Sequence, residues 1–354
     1  MGHISPQAQA TRVGLAGVGK FGQLHAAVLA NLPGVVIGAL ADPDAEQLGR
    51  VAARYGVTQL HHDAEALITD DSLDAIILAT PDAQHVSQAK AALQRGKHLF
   101  VEKPLAPTWL EARELQLLAA KHGAHLQVGM ILRYEAAHRW LHSQIQTGAF
   151  GELVSFRGQR NCSRQSFAAV ADRIHTVHRT LIHDIDLLLW LSGSRVTSVM
   201  AMDYRHGDHL APQGCFGMLQ LESGCVAQLE SSWYVPDQAP ANVLSNDWNG
   251  CIDAELAVVG TQRSAKLQGL HTPLQIWTNE ALQKPDLSLW PAIDGHVMGA
   301  LREQMSDFLG CVAHSRESDI ADLNSAVEAL RVADAIIEAC HTNAPVRLSA
   351  PSRP

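Results

Sequence analysis

From Thr11 to about Met130, short apolar runs alternate with longer stretches in which apolar residues recur at helical spacing. The runs Arg12–Ala16, Val35–Ala41, Ala75–Thr80, His98–Val101 and His125–Gly129 predict strands. Between them, Phe21–Ala30, Ala45–Tyr55, Ala83–Arg95 and Thr108–His122 predict helices. Strand and helix in alternation at this spacing indicate βαβ units and a parallel sheet. Gly96 and Gly123 fall just past two of the helices, where a left-handed cap suits glycine.

Beyond Arg133 the rhythm changes. One helix, at about Ala136–Gln146, leads into Gly148–Gly151, after which strands lengthen and helices become fewer. Cys215–Leu221 and Cys225–Trp233 flank Glu222-Ser223-Gly224, a hairpin signal, and Asp253–Gly260 and Arg263–Leu267 predict further strands. Helices are expected at about Leu181–Leu191, His296–Cys311 and Asp322–His341. The expected class is α/β: a loose polar tail over 1–10, a Rossmann-type domain over 11–133, and an α+β domain over 134–354.

Composition narrows this picture by exclusion. A chain of 354 residues suits two domains, and 47% hydrophobic with 18% charged residues is an ordinary globular mix. No apolar run approaches the roughly 18–20 residues of a membrane span. The N-terminus also lacks the basic start and continuous apolar stretch of a secretory signal, so a cytoplasmic protein with no membrane contact is expected. A net charge of −9 carries no nucleic-acid footprint. Cys162, Cys215, Cys225, Cys251, Cys311 and Cys340 are scattered without a Cys-x-x-Cys pair and read as small buried hydrophobes. The histidines at 61–62, 138 and 142, and 175, 178 and 183 match no standard zinc spacing, so no metal is expected.

The first chemical motif is Gly17-Val18-Gly19-Lys20-Phe21-Gly22, a G-x-G-x-x-G that follows a predicted strand and opens a predicted helix. Gly17 permits the tight turn, Gly19 admits a pyrophosphate without a Cβ clash, and Gly22 lets the helix approach the sheet. The helix N-terminus then offers unpaired N–H groups and a positive dipole end to phosphates. Asp42 follows Gly22 by twenty residues, at the end of the second strand. Its carboxylate can accept ribose hydroxyls and repel a 2′-phosphate, so NAD is expected rather than NADP.

Three further features follow in order. Thr80-Pro81 closes the third strand with His85 after it, Glu102-Lys103-Pro104-Leu105 closes the fourth, and Leu181-Ile182-His183-Asp184-Ile185-Asp186-Leu187-Leu188 lies downstream. Together they resemble the glucose–fructose oxidoreductase and inositol dehydrogenase (Gfo/Idh/MocA) family over nearly the whole chain. The resemblance implies a second domain with a large open, mostly antiparallel sheet, an active site in the cleft between the domains, and redox chemistry at a sugar or polyol carbon. It implies Lys103 at the reacting oxygen, a cis bond before Pro104, and His183 as general acid/base. Candidate cofactor contacts are Gly17, Gly19, Phe21, Gly22, Asp42, Thr80, Pro81, His85 and Glu102, the last alternatively a partner of Lys103. Family members commonly associate through the open sheet, so a homodimer or homotetramer is expected.

One position departs from the pattern. Family members of the inositol dehydrogenase type commonly carry an aspartate four residues before the histidine, and here that position is Arg179. Arginine cannot serve as a general base, so His183 is left to work unaided or with His178, Asp172 or a water. Between Phe156 and His183 lie Arg157, Arg160, Arg164, Arg173 and Arg179, with Asp172 the only acidic residue. Guanidinium forks suit carboxylate or phosphate, which points to an anionic carbohydrate such as a sugar acid, with Arg133, Arg160, His178 and Arg179 as candidate contacts. The plainer alternative is that most of these arginines lie on a solvated strand face or at a subunit interface. The activity expected is an NAD-dependent carbohydrate dehydrogenase. The alternatives are an isomerase that retains and recycles its NAD, and a dinucleotide-binding sensor without catalysis.

Overall fold

A computed structural model of the chain describes residues 10–244, 250–269 and 274–349. Its first stretch runs β1 (Thr11–Ala16), α1 (Lys20–Leu29), β2 (Val35–Ala41), α2 (Ala45–Tyr55), β3 (Leu60–His61), α3 (Ala64–Ile68), β4 (Ala75–Leu78), α4 (His85–Gln94), β5 (His98–Val101), α5 (Trp109–His122) and β6 (Leu126–Val128). The strands form one parallel sheet in the order β3-β2-β1-β4-β5-β6. Val13, Leu15, Ile76, Ile77, Leu99 and Phe100 are fully buried, as strands covered on both faces require. Asp44 caps α2 by accepting from the N–H groups of Glu46 and Gln47, and Gly56 and Gly123 end α2 and α5 in the left-handed conformation.

The second stretch contains α6 (Ala136–Gln146), β7 (Leu153–Cys162), α7 (Arg164–Phe167), a π-helical turn at Val177–Leu181, α8 (Ile182–Ser192), β8 (Val196–Tyr204), β9 (Gly214–Leu221), β10 (Val226–Ser232), β11 (Ala241–Val243), β12 (Ile252–Gly260), β13 (Ser264–Gly269), β14 (Ile276–Trp277) and β15 (Leu282–Pro285). Then come β16 (Ala292–Ile293), β17 (His296–Val297), α9 (Ala300–His314), α10 (Leu323–Thr342) and β18 (Val346–Arg347). A seven-stranded sheet runs β13-β12-β7-β10-β9-β8-β18, antiparallel throughout except for the β7–β10 pair. Its inner face buries Cys215, Leu219, Leu221, Ala227 and Leu229, while Met200, Met202, Phe216 and Met218 stand exposed on the other face. The α/β class agrees with the sequence pattern, and the mostly antiparallel second sheet with what the resemblance implies.

Two boundaries differ from it. Contacts divide the chain into Met1–Gly129 with Ala292–Leu323, and Met130–Pro291 with Asn324–Pro354. The stretch 292–323 therefore belongs with the first unit rather than with the rest of 134–354. Phe308 on α9 lies with its ring 5.7 Å from that of Phe100 and 5.8 Å from that of His125. The helix expected from His296 begins only at Ala300, because His296–Val297 pair with Ala292–Ile293 as a hairpin and Gly299 turns with φ +74°.

Candidate active site

In the first unit the candidate residues gather at the carboxyl ends of the parallel strands, where open α/β sheets place their ligands. Gly17 follows β1, Asp42 follows β2, Thr80-Pro81 follows β4 by one residue, and Glu102-Lys103 follows β5. Gly17 has φ +86°, and a Cβ there would come 2.5 Å from the carbonyl oxygen of Ala79. At Gly22 a Cβ would meet the Gly17 oxygen at 1.9 Å, so only glycine lets α1 start this close to the sheet. Gly19 has nothing within 4 Å of its would-be Cβ, which leaves its backbone open to a phosphate. Asp42 accepts the Val18 N–H at 2.8 Å through Oδ2 and the Asp44 N–H at 2.9 Å through Oδ1, tying the glycine turn to the end of β2. Phe21 is half-buried at the start of α1. An open helix N-terminus with a fixed carboxylate beside it fits a dinucleotide.

Thr80 and His85, both expected cofactor contacts, also join the loops. His85 is buried; its Nδ1 lies 2.8 Å from the Pro104 carbonyl oxygen and its Nε2 lies 3.0 Å from that of Thr80. It bridges the loop after β4 and the loop after β5, its neutral ring donating to one of the two carbonyls. The hydroxyl of Thr80 donates to Gln88 at 2.6 Å. Glu102 is engaged by His25 at 2.8 Å, a residue that the sequence pattern did not single out. The Lys103–Pro104 bond is cis, as the resemblance implied.

In the second unit, His183 is half-buried in the first turn of α8, just before two aspartates, Asp184 and Asp186, that each hold an arginine. Asp184 accepts Nε and Nη2 of Arg160 at 2.8 and 3.0 Å. Burial opposes the charge of Arg160, but Asp184 outweighs it and raises the guanidinium pKa. Asp186 accepts Nε and Nη2 of Arg133 at 2.9 and 2.5 Å, and Nη2 also donates to Ser325 at 2.6 Å. Arg133 is buried under Trp190, with its guanidinium carbon 5.7 Å from the ring. Two of the three arginines expected to contact substrate, Arg133 and Arg160, thus pair with aspartates of α8.

Asp172 pairs with His209 at 3.1 Å, and the buried His178 faces Asp334 of α10 at 3.6 Å. His178 is buried, and its Nε2 makes no hydrogen bond among the described residues. Arg179 is exposed on the π-helical turn, a backbone form that clusters at functional sites. No group of histidines, cysteines and carboxylates among the described residues could hold a metal ion.

The first unit has the architecture of a dinucleotide-binding oxidoreductase. Residues 11–130 match the family described as oxidoreductase family, NAD-binding Rossmann fold, and residues 138–266 match the GFO/IDH/MocA C-terminal domain. The chain belongs to the Gfo/Idh/MocA oxidoreductase family. It is 29% identical over 228 residues to 4-carboxy-2-hydroxymuconate-6-semialdehyde dehydrogenase of Sphingobium sp. (strain NBRC 103272 / SYK-6), a match covering 63% of this chain and 72% of that one. To the inositol 2-dehydrogenase of Corynebacterium glutamicum (strain R) it is 30% identical over 226 residues, 62% of this chain and 66% of that one. The fold is shared with scyllo-inositol dehydrogenase from Lactobacillus casei, solved with NAD(H) and scyllo-inositol: TM-score 0.79 at 18% identity, covering 96% of this chain and 99% of that one.

Proposed function

We propose that the protein is an NAD-dependent dehydrogenase that interconverts a hydroxyl and a carbonyl on a carbohydrate, with a sugar acid as its preferred substrate. The observation that carries this reading is Lys103 at the carboxyl end of β5, in the same sheet that carries the glycine turn and Asp42. Bound NAD supplies the ring that accepts or returns hydride. The Lys103 ammonium is assigned to the reacting oxygen, where a donor stabilises developing negative charge. His183 is assigned to the hydroxyl proton, since imidazole exchanges protons near neutral pH. The Arg160–Asp184 and Arg133–Asp186 pairs hold the helix turn that carries it.

Asp42 supports NAD over NADP, because its carboxylate would repel a 2′-phosphate. The exposed row Met200, Met202, Phe216 and Met218 supports association of copies through the second sheet. Arg179 supports the anionic substrate: it is exposed where inositol dehydrogenase-type members commonly carry an aspartate, and a guanidinium there suits a carboxylate. Steady-state kinetics with D-glucuronate and myo-inositol test this preference. Arg179→Ala is expected to raise KM for glucuronate by about tenfold or more and to leave that for myo-inositol nearly unchanged. Equal effects on both substrates, or none, would sink the assignment.

A further inference from the structure

The carboxylate of Glu102 is fixed from three directions. Its Oε1 lies 2.8 Å from Nε2 of His25, and its Oε2 accepts the backbone N–H of Lys103 at 3.3 Å. The space it fills exists because residue 129 is glycine, where a Cβ would come within 2.8 Å of Oε2. His25 is completely buried on α1, with its ring centroid 5.5 Å from those of both Phe21 and Phe100. Its other nitrogen, Nδ1, has no hydrogen-bond partner among the described residues. An unpaired buried N–H is costlier than an unpaired lone pair, so the proton belongs on Nε2 and is donated to Glu102.

An imidazole in this position is expensive. Two aromatic rings flank it, and burying a polar ring with one nitrogen unsatisfied costs stability. What the imidazole provides is a rigid donor that pins one oxygen of Glu102 and thereby aims the other at the Lys103 peptide. Without it the carboxylate can rotate about its side-chain torsions, and the Lys103 N–H loses its fixed acceptor.

We propose that His25 is a positioning residue for Lys103: acting through Glu102, it sets the orientation of the peptide that carries the lysine. The inference rests on the reading that Lys103 acts on the reacting oxygen. His25 is not catalytic, since it is sealed inside the unit beneath the dinucleotide turn.

The test uses the full chain labelled with [15N]lysine, in which the Lys103 amide resonance is assigned by its loss in Lys103→Arg. His25→Leu should move that resonance, while His25→Gln, which keeps a donor near the Nε2 position, should return it towards the wild-type shift. Affinity for NAD, read by fluorescence titration, should stay within about twofold in both variants, because the glycine turn is untouched. With myo-inositol and D-glucuronate as probes, kcat should fall between about ten- and a hundredfold in His25→Leu and recover in His25→Gln. The double variant His25→Leu, Glu102→Gln should be no slower than His25→Leu alone, as for residues that act as one unit. An unmoved Lys103 amide in His25→Leu, or equal damage in the leucine and glutamine variants, would overturn the proposal. Lys103→Met, measured alongside, separates the two levels. If it keeps full turnover, the reading of Lys103 fails and takes the proposal with it. If it is inactive while His25→Leu is normal, only the proposal fails.

Discussion

His175 shows how one side chain can couple packing to solution conditions. Burial, followed by the nearby positive groups of His178, Arg205 and His341, lowers its pKa from 6.5 to about 3. Its Nδ1 accepts the Val177 N–H at 3.2 Å, and its Nε2 is buried without a hydrogen-bond partner among the described residues. The folded state therefore holds the ring neutral, while the unfolded chain takes up a proton as pH falls through about 6.5. Protons bind preferentially to the unfolded state between those two values. Stability contributed here is full above pH 6.5 and is lost progressively down to pH 3, at no more than about 1.4 kcal/mol per pH unit. Urea unfolding at pH 7.5 and pH 5 checks this: His175→Gln should lose less stability between the two than the wild type. An equal loss in both would assign the acid sensitivity to other groups. Sequence reading found His175 only as a histidine near other histidines, because its burial depends on strands and helices distant in sequence.

At the scale of elements, α8 shows what a motif conveys and what it withholds. Its apolar face and its His-Asp-Ile-Asp run were legible, since side chains at helical spacing announce themselves locally. The partners of its acids were not, because Arg133 and Arg160 come from different elements and a guanidinium in a sequence looks the same whether buried or solvated. That is why two expected substrate arginines are found clamped to Asp186 and Asp184. The π-helical turn before α8 was equally hidden, and so was β3, a two-residue edge strand with no apolar run of its own. The clamp makes a quantitative expectation. Arg133→Leu leaves Asp186 buried without its counter-charge and should cost about 3–5 kcal/mol. The Arg179→Ala variant, altering an exposed side chain, should stay within about 0.5 kcal/mol of wild type. Urea denaturation of both variants measures the contrast, and similar losses would contradict the division of roles.

At the scale of the whole molecule, the dinucleotide unit was the most legible part, since the glycine turn, Asp42 and Lys103 all belong to strand ends that the apolar pattern already located. The second unit is distinguished by arrangement rather than by motif, and its strand order follows from pairings no local run encodes. The reading at stake is NAD-dependent oxidation of a carbohydrate hydroxyl, with Lys103 and His183 as the assigned residues. The most direct test is the rate of NADH formation when purified protein and NAD are offered cyclic polyols, aldoses and sugar acids. NADH should form with at least one of them, fastest with a sugar acid, and Lys103→Met should lose about a hundredfold or more of that rate with NAD affinity preserved. Absence of NADH across the whole panel, or an undiminished rate in Lys103→Met, would contradict it.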